Sequence, residues 1–462
     1  VKKMSVHPNL FVGIFFFSLL CFGLLSENAN AKVLYVANWG SEVSTCIKID
    51  QPCRSISRAI ALANNGDRIV VGPGRYGDLN HDGDFSDLGE EVAEVGSGCF
   101  CMIKVNKQLS FESSDGAEVT VLDAGDTDLN VVSIEASRVV FGKITKLGFT
   151  LTGAKRSGLV IADTGLERVQ ITNNIAIGNG VHGFHFLGNR HTLSDNIASS
   201  NAEAGFEFSG NDHALKNNLA IKNKIGFHFS GSRHFLIGNV ATRNQAAGFD
   251  FAGSDFVLRN TVASANAGHG FWIRGTKHTL NTVGALSNRL AGILVETDSL
   301  NIKINRSNLF GNNYLSVNAN NLNFTRCGLI NNSGNSVNAI NNFWGSKSGP
   351  GLDFADKICD ASSGSQTSFE AFARKPFRIV TRGIKLEQQS LDAVRFFESA
   401  RTHGGLSQNS ALIYSLSGKL LQVLYADEAS LATQSILPNG VYLVIKIYAD
   451  GRRELYEFLV KR

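Results

Sequence analysis

Apolar positions in this chain recur at a spacing too long for one helix or one strand. Five segments align: GFHFLGNRHTL from Gly183, GFEFSGNDHAL from Gly205, GFHFSGSRHFL from Gly226, GFDFAGSDFVL from Gly248 and GFWIRGTKHTL from Gly270. Their starts lie 22, 21, 22 and 22 residues apart. Flanking turns SGLVIADTG from Ser157 and AGILVETD from Ala291 extend the pattern. Phe184 and Phe186 share parity, as do Phe206 and Phe208, Phe227 and Phe229, and Phe249 and Phe251. Such alternation describes short strands with one buried face. A unit of about 22 residues is too short for a helix pair but suits one solenoid coil of three short strands. Equivalent Phe residues then stack at about 4.8 Å per coil. The Gly before each pair permits a sharp corner. An Asn recurs eight residues past each Leu-type position: Asn179, Asn201, Asn223, Asn244, Asn266 and Asn288. That position suits an inward turn, where side-chain amides bond from coil to coil. The expectation is all-β: a right-handed parallel β-helix, a single-stranded solenoid.

The two ends read differently. Ile56, Ala59, Ile60 and Ala63 have helical spacing, which predicts an amphipathic cap at the start of the solenoid. Beyond residue 380 the Asn pattern stops. ALIYSLSGKLLQVLY from Ala411 and LPNGVYLVIKIYADGRRELYEFLVKR from Leu437 are short strands with Ser-Gly, Asn-Gly and Asp-Gly turns. They predict a small C-terminal antiparallel β-domain, sandwich-like, over 381–462. At the other end, Lys2 and Lys3 precede an apolar run from Phe11 to Leu25 and then Ala29-Asn30-Ala31. A charged start, a short apolar run and an A-x-A site describe a secretory signal peptide over 1–31, cleaved after Ala31. The run is too short to span a bilayer, and no later segment reads as a transmembrane helix. The mature chain is expected to be secreted or held at the cell surface, with the solenoid occupying 32–380.

Composition sharpens this picture. Of 42 Asn, 31 fall between residues 151 and 350, so the coil region alone carries the excess. Only 18% of residues are charged while 43% are hydrophobic, which argues against disorder or a coiled coil. The net charge is +4, and losing Lys2, Lys3 and Glu27 removes a net +1 of it. So weak a balance gives no reason to expect nucleic acid. Cys46, Cys53, Cys99, Cys101, Cys327 and Cys359 remain in the exported chain, where structural disulfides are expected. Six cysteines allow 15 pairings. Proximity favours Cys46–Cys53 and Cys327–Cys359. Cys99 and Cys101 stand only two apart, where a mutual bond is expected to be strained, and a metal role is the other reading.

The repeat resembles the parallel β-helix superfamily of pectate lyases and related carbohydrate-binding or carbohydrate-cleaving proteins. VLYVANWGSEVSTCIKIDQPCRSISRAIALANNGDRIVVGPGRY, from Val33, resembles the N-terminal cap of many secreted members. NNFWGSKSGPGLDFADKICD, from Asn341, resembles their closing coil. The resemblance covers about residues 33–380 and implies the fold; one fold hosts many chemistries. The C-terminal pattern resembles secretion-sorting domains of type IX secretion and Ig-like domains of flagellar hook caps. It implies an attachment or secretion-machinery partner.

Three groups of residues can carry chemistry. In the acidic loop 78–91, Asp78, Asn80, Asp82 and Asp84 alternate around Gly83, an oxygen-rich spacing that wraps Ca²⁺. Glu90 falls one residue late for a bidentate EF-hand ligand, so the loop is more similar to the DxNxDG calcium loops of secreted proteins. A solvated acidic loop is the alternative. A second group lies between the flanking aromatics: His185, Glu207, His228, Asp250 and Trp272 form one outward column, with Arg274 on the same face. These side chains can hold sugar hydroxyls and stack on a pyranose, or act as general acid and base. A solvated sheet face is the bland reading. Finally, His191, His213, His234 and His278 share a position that Phe256 takes in the fifth unit. Metal binding needs converging rings, whereas consecutive coils give parallel ones, so a structural turn ladder is expected. Their neighbours Arg190, Asp212, Arg233, Asp255 and Lys277 alternate in sign and predict weak cross-coil pairing.

Known catalytic sets do not transfer. Family-nine pectate lyases carry an Asp-Asp-Gly-Phe-Asp cluster and an Asn-Gly-Phe-Lys unit. Here Ala204 and Gly205 precede Phe206, and no Lys follows a Gly-Phe pair. The Asp-Pro-His-Asp motif of mannuronan epimerases is absent. Gly268-His269-Gly270 echoes a polygalacturonase motif without its aspartates. The expectation is polysaccharide or surface-glycan binding along an outer face, through Trp272 and Arg274. The alternatives are a calcium-dependent lyase, epimerase or hydrolase using His185, Glu207, His228 and Asp250, or a structural spacer.

Overall fold

The computed structural model describes residues 31–80, 82–94, 98–312, 325–353 and 355–381, together with the backbone of four strands between 410 and 460. The signal peptide expected over 1–31 lies outside these, apart from Ala31. Three parallel sheets of 13, 11 and 10 strands wrap one core. A coil visits each sheet once, as Phe184–Phe186, Thr192–Ser194 and Ile197–Ser199 do in succession. Phe184, Phe186, Leu193 and Ala198 of that coil all face inward and are buried.

Stacking of equal residues holds the coils together. Phe184, Phe206, Phe227, Phe249 and Phe271 form one file, with ring centroids 5.0, 4.6, 4.7 and 5.1 Å apart. A second file runs through Phe186, Phe208, Phe229 and Phe251 at 5.0, 4.8 and 5.5 Å. Burying each phenyl contributes about 1.5–3 kcal/mol. The recurring Asn form the expected ladder. Asn223 Oδ1 accepts from Asn201 N and Nδ2 at 3.0 and 2.9 Å, and Asn223 Nδ2 donates to Ala198 O and to Asn244 Oδ1. A second Asn ladder, unforeseen, lies three residues past each Leu, through Asn174, Asn196, Asn218 and Asn239.

The corner glycines work by closeness more than by backbone freedom. A Cβ on Gly226 would run into the Gly248 carbonyl and Ala241, yet Gly226 has no positive φ. The glycines that need positive φ come later in the strand. Gly210, Gly231, Gly253 and Gly275 lie at φ 113–151°, each backed against the preceding glycine's carbonyl.

Both ends of the solenoid are closed by buried carboxylates. The helix Ile56–Leu62 packs Ile56, Ala59 and Ile60 inward, as its spacing predicts. Glu91 accepts from Ile56 N, Ser57 N and Ser57 Oγ at 2.6–2.8 Å. Burial pushes its carboxyl up against those hydrogen bonds. At the far end Asp356 terminates the first Asn ladder, accepting from Gly311 N, Asn312 N and Asn312 Nδ2. Burial pushes Asp356 up to about 7.

Cys46–Cys53 and Cys327–Cys359 are paired. Cys99 and Cys101 are paired as well, against the expectation from their spacing. Phe100 between them turns at φ 45°, and the two Cα atoms stand 5.2 Å apart, within reach of a disulfide. Neither thiol is then free for a metal.

The strands Ser410–Ser415, Leu420–Tyr425, Gly440–Ile447 and Arg453–Val460 pair antiparallel, as the turn signals predict. They form one four-stranded sheet. The rest of 382–462, on which a second layer of the expected sandwich would fall, lies outside the described residues. No helix among the described residues is long and apolar enough to cross a membrane.

Candidate functional site

The outward column forms on the 11-stranded sheet. Register pairing runs His185–Glu207–His228–Asp250–Trp272, one residue per coil, because each sits between two inward apolar residues. Val160 precedes the column and Leu294 follows it, so its polar part spans five coils. The next outward column is small, with Ser209, Ser230 and Ala252 leading to Arg274.

This face is less solvated than an open sheet surface. The side chains of Glu207, His228 and Asp250 keep only 15, 28 and 6% of their exposure. Each is covered by its neighbours along the column. His228 Nδ1 meets Glu207 Oε1 at 2.7 Å and Oε2 at 2.9 Å. On its other side His228 Nε2 lies 3.8 Å from Asp250 Oδ2. Arg274 reaches back one coil, and its Nη2 donates to Asp250 Oδ1. Three consecutive members therefore read acid, imidazole, acid, and the Arg274 guanidinium of the adjacent column closes the series.

Their protonation follows from these contacts. The Glu207 hydrogen bond raises His228 above its ordinary 6.5, ahead of burial, which opposes it. His185, one coil before Glu207, is lowered by burial. His182 was not foreseen as part of the group. Its ring lies 5.2 Å from His185, its Nδ1 accepts from Ala204 N, and burial pushes it down to about 4. The signal for it was present as the His two residues before Phe184.

Trp272 and Arg274 form the other end. The Arg274 guanidinium lies 4.8 Å over the indole, so that face of Trp272 is taken by the cation. His269 lies 6.4 Å from the indole, and burial pushes it down to about 4. Trp272 Nε1, Arg274 Nε and His269 Nδ1 are buried and without hydrogen-bond partners.

The other two groups behave differently. His191, His213 and His234 stack with centroids 5.2 and 5.0 Å apart, and Phe256 continues the file to His278. Each ladder Nδ1 accepts a backbone N–H from the coil before: Val169 to His191, His191 to His213, His213 to His234, Phe256 to His278. The rings of His191, His213 and His234 are nearly parallel, at 12 and 4°, Phe256 is tilted by 51–52° from its neighbours, and all are buried, as in a structural ladder. The charged neighbours Arg190, Asp212, Arg233, Asp255 and Lys277 take φ of 57–62°. Arg233 pairs with Asp212, whereas Arg190 turns to Glu167.

In the acidic loop, Asp78 is buried and its Oδ2 accepts from Gly83 N. Asn80, Asp82 and Asp84 are exposed, and each side-chain oxygen holds the amide two residues on. Glu90 accepts from Leu79 N and Asp87 N. The loop thus curls around Gly83 as the spacing implies. Among the described residues no three or more His, Cys, Asp or Glu are gathered where they could hold a metal ion. An oxygen-rich donor set remains, since a carboxylate holding one amide keeps further lone pairs.

A family model agrees with this architecture over part of the chain. The family described as a right handed beta helix region matches residues 157–308. The chain folds as a right-handed β-helix. No curated protein matches it. Among solved structures it is similar to the pectate lyase Pel9A at 18% identity, covering 75% of this chain and 77% of that one, TM-score 0.35. A rhamnogalacturonan lyase matches at 12% identity over 87% and 97%, TM-score 0.41. The Agl-KA catalytic domain matches at 11% over 66% and 63%, TM-score 0.43.

Proposed function

We propose that this is an exported β-helix protein that binds polysaccharide along the outward column of its 11-stranded sheet. The observation that carries this reading is the unbroken contact from Glu207 through His228 and Asp250 to Arg274, beside Trp272. Charged and hydrogen-bonding groups set in file on a rigid sheet are preorganised, which lowers the cost of holding a repeating ligand. Three disulfides fit an oxidising compartment and support export after Ala31. The C-terminal strands serve attachment or secretion in this reading, and loop 78–91 binds a structural Ca²⁺ through Asp78, Asn80, Asp82 and Asp84.

The test is polysaccharide binding by the exported chain and by a variant with His185, His228 and Trp272 all changed to Ala. Three lost contacts at about 0.5–1.5 kcal/mol each predict a loss of at least about tenfold. Unchanged binding would move the ligand off this column, and no binding by either protein would favour a spacer.

A catalytic reading is favoured by one observation, the His228 imidazole held directly by Glu207. Such a pair can donate and take back a proton. A lyase would raise ultraviolet absorbance from unsaturated ends on uronate polymers, dependent on Ca²⁺ and abolished by Glu207→Gln or Asp250→Asn. Epimerase or hydrolase activity needs separate product analysis.

A further inference from the structure

We propose that the polysaccharide taken by this column is uncharged. The inference rests on the glycan-binding reading above and names its substrate class. Along the column every charged group already has its counter-charge in contact. Glu207 is held by His228, which carries the balancing charge when protonated, and Asp250 is matched by Arg274. The flanking charges are matched too. Lys224 pairs with Glu203 at 2.7 Å, and Lys104 pairs with Glu94 and Glu135 at 3.0 and 3.4 Å. His182 and His185 are held toward the neutral form by burial. No cation of the column is left over to neutralise a bound carboxylate.

The order of the charges matters as much as their sum. Carboxylates recur on every second coil, at Glu207 and Asp250. A polyuronate carries one carboxylate per sugar, so any register along the column sets like charges against each other in a half-buried site. Like-charge juxtaposition of that kind suppresses binding strongly. A hydroxyl group both donates and accepts, so a neutral sugar can meet an acid on one coil and an imidazole or guanidinium on the next.

The experiment measures affinity of the full exported chain for soluble neutral polymers (a glucan, a mannan) and for polygalacturonate and alginate at one ionic strength. The expected result is binding to a neutral polymer and at least about tenfold weaker binding to both uronates. Asp250→Asn, which releases the Arg274 charge, is expected to narrow that gap, and Glu207→Gln to narrow it by removing a carboxylate from the column. Uronate binding equal to or tighter than neutral binding overturns this inference and leaves the glycan reading standing. Binding to no polymer in the panel overturns the glycan reading, and this inference with it.

Discussion

His228 lies between two carboxylates and is hydrogen-bonded to one, whereas burial outweighs the carboxylates near His182 and His185. That difference predicts opposite titrations on one sheet face. His228 is raised by Glu207, so the pair's stabilisation is present below about 6.5 and fades as pH rises through the higher folded value. Glu207→Gln is expected to lower the His228 pKa, read from its imidazole NMR shifts, and to leave His191 unchanged. A His228 that titrates the same in both proteins would show that the contact at 2.7 Å does not hold in solution. The column members were legible in the sequence because parity alone places them. Their contacts were not. Nothing in the spacing shows that Arg274 folds back onto Asp250, or that it covers the indole expected to stack on a sugar.

Ladders dominate at the scale of the element. Asn223 fills four hydrogen-bonding roles in a dry turn, so Asn223→Ala leaves Asn201 N unpaired and takes one donor from the Ala198 carbonyl. The expected cost is about 3 kcal/mol, measured as a lowered denaturation midpoint. A change below about 0.5 kcal/mol would mean that water replaces the amide. The acidic loop gives a second test. If Ca²⁺ binds there, saturation at about 100 times its Kd adds about 2.7 kcal/mol, seen as a rise in melting temperature that chelator reverses. An Asp82→Asn, Asp84→Asn variant should lose that rise, and an equal rise in the variant would place the ion elsewhere. One Asn ladder was readable from its fixed offset after Leu. The second escaped because its register switches to Thr261 and Ser307 in later coils, which blurs the repeat. The Cys99–Cys101 bond escaped for a different reason: it depends on one backbone torsion at Phe100.

For the whole molecule, burial of histidines makes stability depend on pH. His182, His191, His234, His269 and His278 are pushed down to about 4 and His213 to about 2. The unfolded chain binds protons near 6.5 and the folded chain resists them, so stability is full above 6.5 and falls toward pH 4. Each histidine contributes up to about 2 kcal/mol of loss by pH 5. Asp356, Glu91 and His228 act in the opposite sense but are fewer. The melting temperature should therefore be lower at pH 5 than at pH 7, and a higher one would contradict neutral ladders. The architecture was legible because a repeat of near-constant length can close only by stacking. Function was less so, because every coil's outward residues are free of that constraint.

The central claim is that a polysaccharide lies on the Glu207–Arg274 column. The most direct measurement is a crystal structure of the protein soaked with the oligosaccharide of its tightest polymer. The account predicts sugar hydroxyls within hydrogen-bonding distance of Glu207, His228, Asp250 and Arg274. Sugar seated elsewhere on the molecule, or a column left bare at saturating oligosaccharide, would contradict it.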